Sequence, residues 1–364
     1  MNLEAIDGLI SNQPLAPLTT IGLGGNAQHY KVVSDPKDLH RALEWCGLQQ
    51  LPMWVLSGGS NLVVADSTLR GLVVDMKLKG FQFEPVNQGR VLVTAAAGED
   101  WDAFVAQCVA RGYSGIECLS GIPGRVGATP IQNVGAYGQD VSQTIQWVQV
   151  LDRQSGDLLQ MDASDCGFGY RASRFKHGDF GRYIVLSVCF WLWDQLPKLP
   201  SHGELGQHFA GDPGPPSASR VRDVVMGLRK SKSMLFDAAD PWARSCGSFF
   251  LNPVVPNELA EAIRARYSQE RTPFYPQPPG HVKIAAAWLI EKAGFSKGHC
   301  DGPVGLSGKH SLAIVARSGA TARDVVRLAR SIQSRVHEVF DIWITPEPVF
   351  WGFERFENGL PSID

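Results

Sequence analysis

The chain has 364 residues, 44% of them hydrophobic, enough apolar material for two or three globular domains. Its 34 basic and 36 acidic side chains leave a formal net charge of −2, so no global field favours nucleic acid or an anionic membrane; the short run Arg229-Lys230-Ser231-Lys232 reads as a solvated helix end. From seven cysteines without a C-x-x-C pair, an opening Met1–Ala5 without the regions of a secretory signal, and a strongest apolar run (Ile184–Trp193) too short for a bilayer, the expectation is a soluble, cytoplasmic protein with reduced thiols.

In chain order, Asp35-Pro36 followed by Asp38 opens a helix whose Leu39, Ala42, Leu43 and Cys46 share one face. The strand Leu51–Leu56, a tight glycine turn and the β-rich runs Leu62–Ala65 and Gly71–Met76 come next, followed by Val91–Ala97. Asp100–Arg111 reads as a helix with Trp101, Phe104, Val105 and Cys108 inward. Ile145–Leu151 and Leu158–Asp162 flank Arg153-Gln154-Ser155-Gly156, a hairpin signal, and Tyr183–Trp193 is a buried strand. The proline-rich Asp194–Ser219 is the expected linker. Beyond it, Ser219 is expected to cap a helix through Arg229. Further helices are expected at Asn257–Tyr267, Ile284–Ala293 and Thr321–Phe340, the last with a Thr321-x-x-Asp324 capping pattern, and His310–Ala316 as a strand. The class is α+β, with a strand-and-turn N-terminal half and a separate C-terminal module.

Two segments carry chemistry on composition alone. Gly121–Gly138 reads G-I-P-G-R-V-G-A-T-P-I-Q-N-V-G-A-Y-G, five glycines and two prolines with a single charged side chain, Arg125. Glycine lets backbone approach a ligand closely and lets successive N–H groups point one way, so the segment reads as a cradle for a large anionic or amide-rich cofactor. Ser57-Gly58-Gly59-Ser60-Asn61, between two apolar strands, exposes N–H groups with hydroxyl and amide donors and suits a pyrophosphate; its plain alternative is a tight connection. Two such segments in one half favour a dinucleotide. Neither is a Rossmann G-x-G-x-x-G running into a helix or a Walker A, so the dinucleotide sits on another architecture. Metal is not expected, because His299-Cys300-Asp301 is the one dense cluster of ligand types and adjacent residues point apart.

Ser57–Asn61, Ile122–Gly138, Phe168-Gly169-Tyr170-Arg171-x-Ser173, Gly247-Ser248-Phe249-Phe250-x-Asn252-Pro253 and Pro346-Glu347 occur in the order of the MurB family, the UDP-N-acetylenolpyruvoylglucosamine reductases of peptidoglycan synthesis. The resemblance runs from about Leu18 to about Gly352. It implies a two-lobed FAD-binding domain of the vanillyl-alcohol-oxidase type (residues 1–66 and 67–200) and an α+β substrate-binding domain (215–352). The C-terminal segment, about 341–364, is expected to pack back on the FAD domain. The implied cofactor is non-covalent FAD with NADPH as co-substrate, and the implied partner is UDP-N-acetylglucosamine enolpyruvate, handled by a monomer.

By the same resemblance, FAD is held by Ser57, Gly58, Gly59, Ser60, Asn61, Ile122, Gly127, Ala128, Gln132, Asn133 and Gly138. Arg171, Ser248 and Glu347 are the catalytic candidates: a guanidinium to clamp the substrate carboxylate, a proton donor, and a carboxyl group for acid–base work. Lys232, Asn252, Tyr275 and Lys283 match positions holding the nucleotide diphosphate sugar, and Tyr137, Tyr170 and His310 are further pocket candidates. Each has an ordinary structural alternative: a strand-end salt bridge for Arg171, a turn serine for Ser248, solvated lysines and a packing tyrosine for the rest.

The chain departs from the family pattern in places. His202 stands where a lid tyrosine is usual, Leu251 replaces a lysine and Val349 an arginine, and the stretch after Lys232 is longer than usual. Two other readings share the fold. One is a sugar or lactone oxidase, though no histidine lies between His40 and His177 to tether a flavin covalently. The other is a nucleotide-sugar-binding protein without turnover.

Overall fold

The computed structural model describes residues 6–86, 89–200, 203–237, 239–277 and 279–362. The chain forms two compact units, each interrupted in sequence. Unit 1 comprises 1–13, 27–59 and 70–235, and unit 2 comprises 14–26, 60–69 and 236–364.

Among the described residues unit 1 holds two larger sheets and the short hairpin Gly135–Ala136 with Gln139–Asp140. The first runs in the order Ile10–Pro14, Asn26–Val33, Leu69–Met76, Met53–Leu56, with the last two strands parallel. The helix Pro36–Gln49 links the strand Asn26–Val33 to Met53–Leu56, and the connection within the parallel pair runs through residues 57–68, which include the glycine turn and the strand Leu62–Val64. The helix starts where expected: Asp35 accepts the Lys37 N–H at 2.7 Å, Pro36 occupies the first turn, and the chain leaves through Gln50 at φ +54°. The second sheet is fully antiparallel, in the order Leu158–Asp162, Ile145–Asp152, Tyr183–Trp193, Arg90–Ala96, Phe81–Val86. Helix Trp101–Ala110, capped by Asp100, buries Trp101, Phe104, Val105 and Cys108 as its spacing requires. One apolar core joins these parts, from Val33 to Ala218.

Unit 2, among the described residues, combines two three-stranded antiparallel sheets and two two-stranded pairs with three helices, Asn257–Arg266, Ala286–Lys292 and Ala322–Phe340. The long C-terminal helix opens on the expected box, Thr321 and Asp324 each bonding the other's backbone N–H. Asp66 adds to it, accepting the Ala322 and Arg323 N–H groups at 2.8 and 3.1 Å. The core of this unit includes Ile21, Leu23 and Val63 beside residues 246–360.

Several boundaries differ from the sequence expectation. The strand Leu69–Met76 belongs to the first sheet, not to a second lobe beginning at 67. The expected linker 194–219 contains the helix Gly203–Phe209, and the helix after it is capped by Ser217 rather than Ser219, spans Ala218–Ser231, and clusters with unit 1. The division falls instead between Leu235 and Phe236. His310–Ala313 is a turn, leaving only Ile314–Ala316 as strand. The C-terminal segment pairs its Val349–Trp351 parallel to Leu62–Val64, within the residues 1–66 expected to form the first lobe, though both strands cluster with unit 2.

Candidate active site

Within unit 1 the two glycine-rich segments meet. A methyl group on Gly58 would lie 2.5 Å from Gly124 Cα, and one on Gly127 would lie 2.6 Å from Ala97 Cβ, so backbone packs where side chains do not fit. The hydroxyl of Ser57 is buried with no hydrogen-bond partner among the described residues. Buried polar atoms are normally paired, so an unpaired donor beside a backbone cradle fits an anionic group such as a pyrophosphate.

Two carboxylates brace the cradle. Arg125 donates to Asp75 and to the Met76 carbonyl (2.6 Å), and the Tyr30 hydroxyl donates to the other Asp75 oxygen at 2.7 Å. Burial, with Asp75 beside it, pushes the Tyr30 phenol well up. At the other brace Asp102 accepts the Gly121 N–H at 2.6 Å and both arms of Arg222 at 2.5 and 2.8 Å. Burial works to raise the Asp102 pKa, yet the Arg222 and Gly121 hydrogen bonds outweigh it and hold the carboxyl below its ordinary value. Ile122 is half-buried, and Val126–Ala128 forms one 3₁₀ turn with Gly127 N–H donating to Ala97.

The downstream part of the cradle positions Arg171. Asn133, left-handed at φ +42°, donates its amide to the Gly169 carbonyl at 2.7 Å and accepts from the Ser142 N–H. Gln132 accepts from Lys176 at 3.0 Å. Arg171, itself at φ +50°, lays its guanidinium on the carbonyls of Asn133 (3.2 Å) and Gly135, and its Cζ is 5.7 Å from the Tyr170 ring centroid. A non-glycine residue in that backbone region is strained, and here the strain aims a cation along the cradle. Gly138, at φ +85°, would bring a methyl within 2.9 Å of Pro200.

Tyr137, at φ +50°, packs against Cys118, Leu205, Val221 and Val225. Burial raises its pKa, with Arg229 opposing and Glu204 assisting. Arg229 is only 8% exposed, donates to the Met234 carbonyl at 2.9 Å, and has its pKa lowered by burial. Reading 229–232 as a solvated helix end therefore fails for Arg229. The i, i+4 series Val221, Val225, Arg229 on the buried face is the signal that finds it. Lys232 forms an ion pair with Glu204. His202 lies outside the described residues.

Unit 2 brings Ser248 and Glu347 onto neighbouring segments. Phe250 and Pro346 form an antiparallel bridge: Leu251 N–H donates to Thr345 and Glu347 N–H to Phe249, each at 2.9 Å. Phe249 and Phe250 are buried, and they anchor the half-buried Ser248 beside Gly247, whose φ is +73°. His310 lies on the adjoining turn, its Nδ1 accepting the Leu312 N–H at 3.0 Å while Leu312 accepts from Phe249 N–H. Ser60 and Asn61, the distal end of the expected pyrophosphate turn, also belong to this unit; Asn61 donates its amide to the Glu347 carbonyl at 3.2 Å. Tyr275 and Lys283 face each other across a strand pair, and Asn252 accepts the Ala286 N–H at 2.9 Å, capping a helix.

Family models match both parts of the chain: an FAD binding domain over residues 27–162, and the C-terminal domain of UDP-N-acetylenolpyruvoylglucosamine reductase over 239–351. A relative from Thermobifida fusca named UDP-N-acetylenolpyruvoylglucosamine reductase is 46% identical, covering 94% of this chain and 97% of its own. The chain belongs to the UDP-N-acetylenolpyruvoylglucosamine reductase family. A family member from Saccharopolyspora erythraea is 44% identical over 92% of this chain and 93% of its own. The crystal structure of the reductase from Thermus caldophilus shares the fold, with a TM-score of 0.62 at 24% identity over 94% of this chain and 98% of that one. As a member of the reductase family, the chain has an FAD-binding domain whose cradle suits the flavin dinucleotide, and Thr20, Asp102 and Arg229 stand beside the candidate residues without being evident in the motifs.

Proposed function

We propose that the chain is the FAD-dependent reductase that uses NADPH to convert UDP-N-acetylglucosamine enolpyruvate to UDP-N-acetylmuramate for peptidoglycan synthesis. The observation that carries this reading is the bridging of the Ser248 and Glu347 segments in a chain of this family. Bound in the cradle of Ser57–Gly59 and Ile122–Gly138, the flavin supplies the relay of hydride from NADPH to the terminal enolpyruvyl carbon. Arg171 stabilises the negative charge that develops on the substrate carboxylate. Ser248 Oγ donates the proton that the neighbouring carbon takes up, so the double bond gains one hydride and one proton. A hydroxyl is a weak acid, and it serves here because a strong developing carbanion lies beside it, with Glu347 as the second acid–base group. Lys232, Tyr275 and Lys283 bind the nucleotide diphosphate, with Asn252, Tyr137, Tyr170 and His310 lining the pocket.

The reading includes a monomer working in the cytoplasm; among the described residues no helix is long and apolar enough to cross a membrane. The test is anaerobic. NADPH is expected to bleach the yellow flavin, and the enolpyruvyl substrate to restore the colour within seconds. A reduced flavin that the substrate leaves colourless overturns the assignment.

A further inference from the structure

In a regular antiparallel pair the N–H and C=O of one residue serve the same neighbouring strand. At Glu347 they do not. Its N–H goes to Phe249, whereas its C=O accepts the Asn61 side-chain amide at 3.2 Å. The next donor, Val349 N–H, goes to the Asn61 carbonyl at 3.0 Å, since Pro346 and Pro348 have no N–H to offer. The chain thus rolls from one partner to the other at Glu347, and Asn61 holds the far side of that roll with both its side chain and its backbone.

The same short segment frames Ser248. Thr20 Oγ1 donates to the Ser245 carbonyl at 2.7 Å, with the Ser60 carbonyl 3.4 Å away. Cys246 Sγ lies 3.4 Å from the Leu62 carbonyl, and Ser245 Oγ accepts the Gly247 N–H at 3.2 Å. The turn that presents Ser248 and the roll that presents Glu347 are therefore fastened to one stretch, Ser60–Leu62.

We infer that Asn61 and Thr20 are positioning residues for the acid–base pair, Asn61 setting Glu347 and Thr20 setting the Ser248 turn. Asn61 stands in a turn expected to hold a pyrophosphate, but its side-chain donor serves the carbonyl of the catalytic candidate. This rests on the proposed function, because Ser248 and Glu347 act only when substrate reoxidises the flavin.

The half-reactions separate the roles. In full-length flavin-loaded protein, Asn61→Leu keeps the side-chain size and removes the N–H donor without adding charge; Thr20→Val removes the hydroxyl and Thr20→Ser restores it. Displacing a reacting group by about 1 Å slows a step by up to about 10²-fold, so Asn61→Leu and Thr20→Val are each expected to slow reoxidation by substrate about 10- to 100-fold. For Thr20→Val, reduction by NADPH and FAD affinity, read by flavin fluorescence, are expected within about threefold of the parent, and Thr20→Ser is expected to recover most of the reoxidation rate. Should Asn61→Leu fail to fold, Asn61→Ala and the Thr20 pair carry the same comparison. Loss of FAD affinity with both half-reactions falling together, or no change in reoxidation, overturns the inference while leaving the proposed function standing. A parent protein that substrate cannot reoxidise overturns both.

Discussion

At Gly58 and Gly124 the two glycine-rich segments approach backbone to backbone, and the 2.5 Å that a methyl would leave between them is too short for any relaxed contact. Gly58→Ala must push the loops apart, and the donors around the buried Ser57 hydroxyl move with them. The expected outcome is FAD affinity weakened by at least about tenfold, equivalent to about 1.4 kcal/mol, checked by flavin retention and fluorescence titration. Ser248 makes a different kind of prediction. Ser248→Ala is expected to leave bleaching by NADPH intact and to slow reoxidation by substrate by about 10²–10⁴-fold, checked by stopped-flow absorbance. A turn serine without a chemical role would leave both phases alone. The glycines were legible in the sequence because composition exposes them. The roles of Asn61 and Asn133 were not, since an amide in a loop matches a phosphate, a carbonyl or a turn equally well until its neighbour is placed.

The elements around the cradle depend on a few charged contacts between helices. Asp102, in the first turn of Trp101–Ala110, joins Arg222 of Ala218–Ser231 and the N–H of Gly121. A hydrogen-bonded charge of this kind contributes about 1.5–3 kcal/mol, so Asp102→Asn is expected to lower the thermal midpoint by several degrees. Because the folded pKa lies below the unfolded value of 3.8, this contribution is present above that value and lost as pH falls through the folded one. The parent is therefore expected to lose stability on acidification below about pH 4 more steeply than the variant, checked by urea midpoints across that range. The first helix, Pro36–Gln49, starts where its cap places it, and Trp101–Ala110 and Ala322–Phe340 stand within a residue or two of their expected bounds. The His310–Ala316 strand was overlong because Ser311 and Leu312 turn around the His310 ring nitrogen, a local bond that alternation does not reveal.

For the molecule as a whole, unit 2 is not the C-terminal part of the chain alone. Its core takes in Ile21, Leu23 and Val63, each at most 5% exposed, and Asp66 caps its longest helix. A fragment of residues 236–364 lacks all four. It is expected to be loosely packed and to show poor dispersion in amide NMR spectra, with sharp unfolding only in the full chain. The cysteines give a second whole-chain prediction. Six of the seven are buried and only Cys300 is exposed, so a colorimetric thiol reagent is expected to titrate one fast thiol in the native protein and the rest after denaturation. Burial pushes Cys108, Cys166 and Cys246 up to about 12 and Cys46 up to about 11, from an ordinary value of 9.0. A raised folded pKa means stability is undiminished below about pH 9 and falls as pH rises toward 12, measurable as a declining urea midpoint.

The sequence by itself determined the α+β class, the two cradles, the principal helices and the family, because each rests on residue types at short, fixed spacing. Glycine runs, caps and amphipathic periods are local, and local chemistry can be read along a line. Only the tertiary structure decided that Ser60–Leu69 belongs with the C-terminal half, that Arg229 is buried, and that Asn61 serves Glu347. Those facts depend on which distant segments share a core and which backbone donors two prolines have removed. Chain separation carries no information about either until the packing is known.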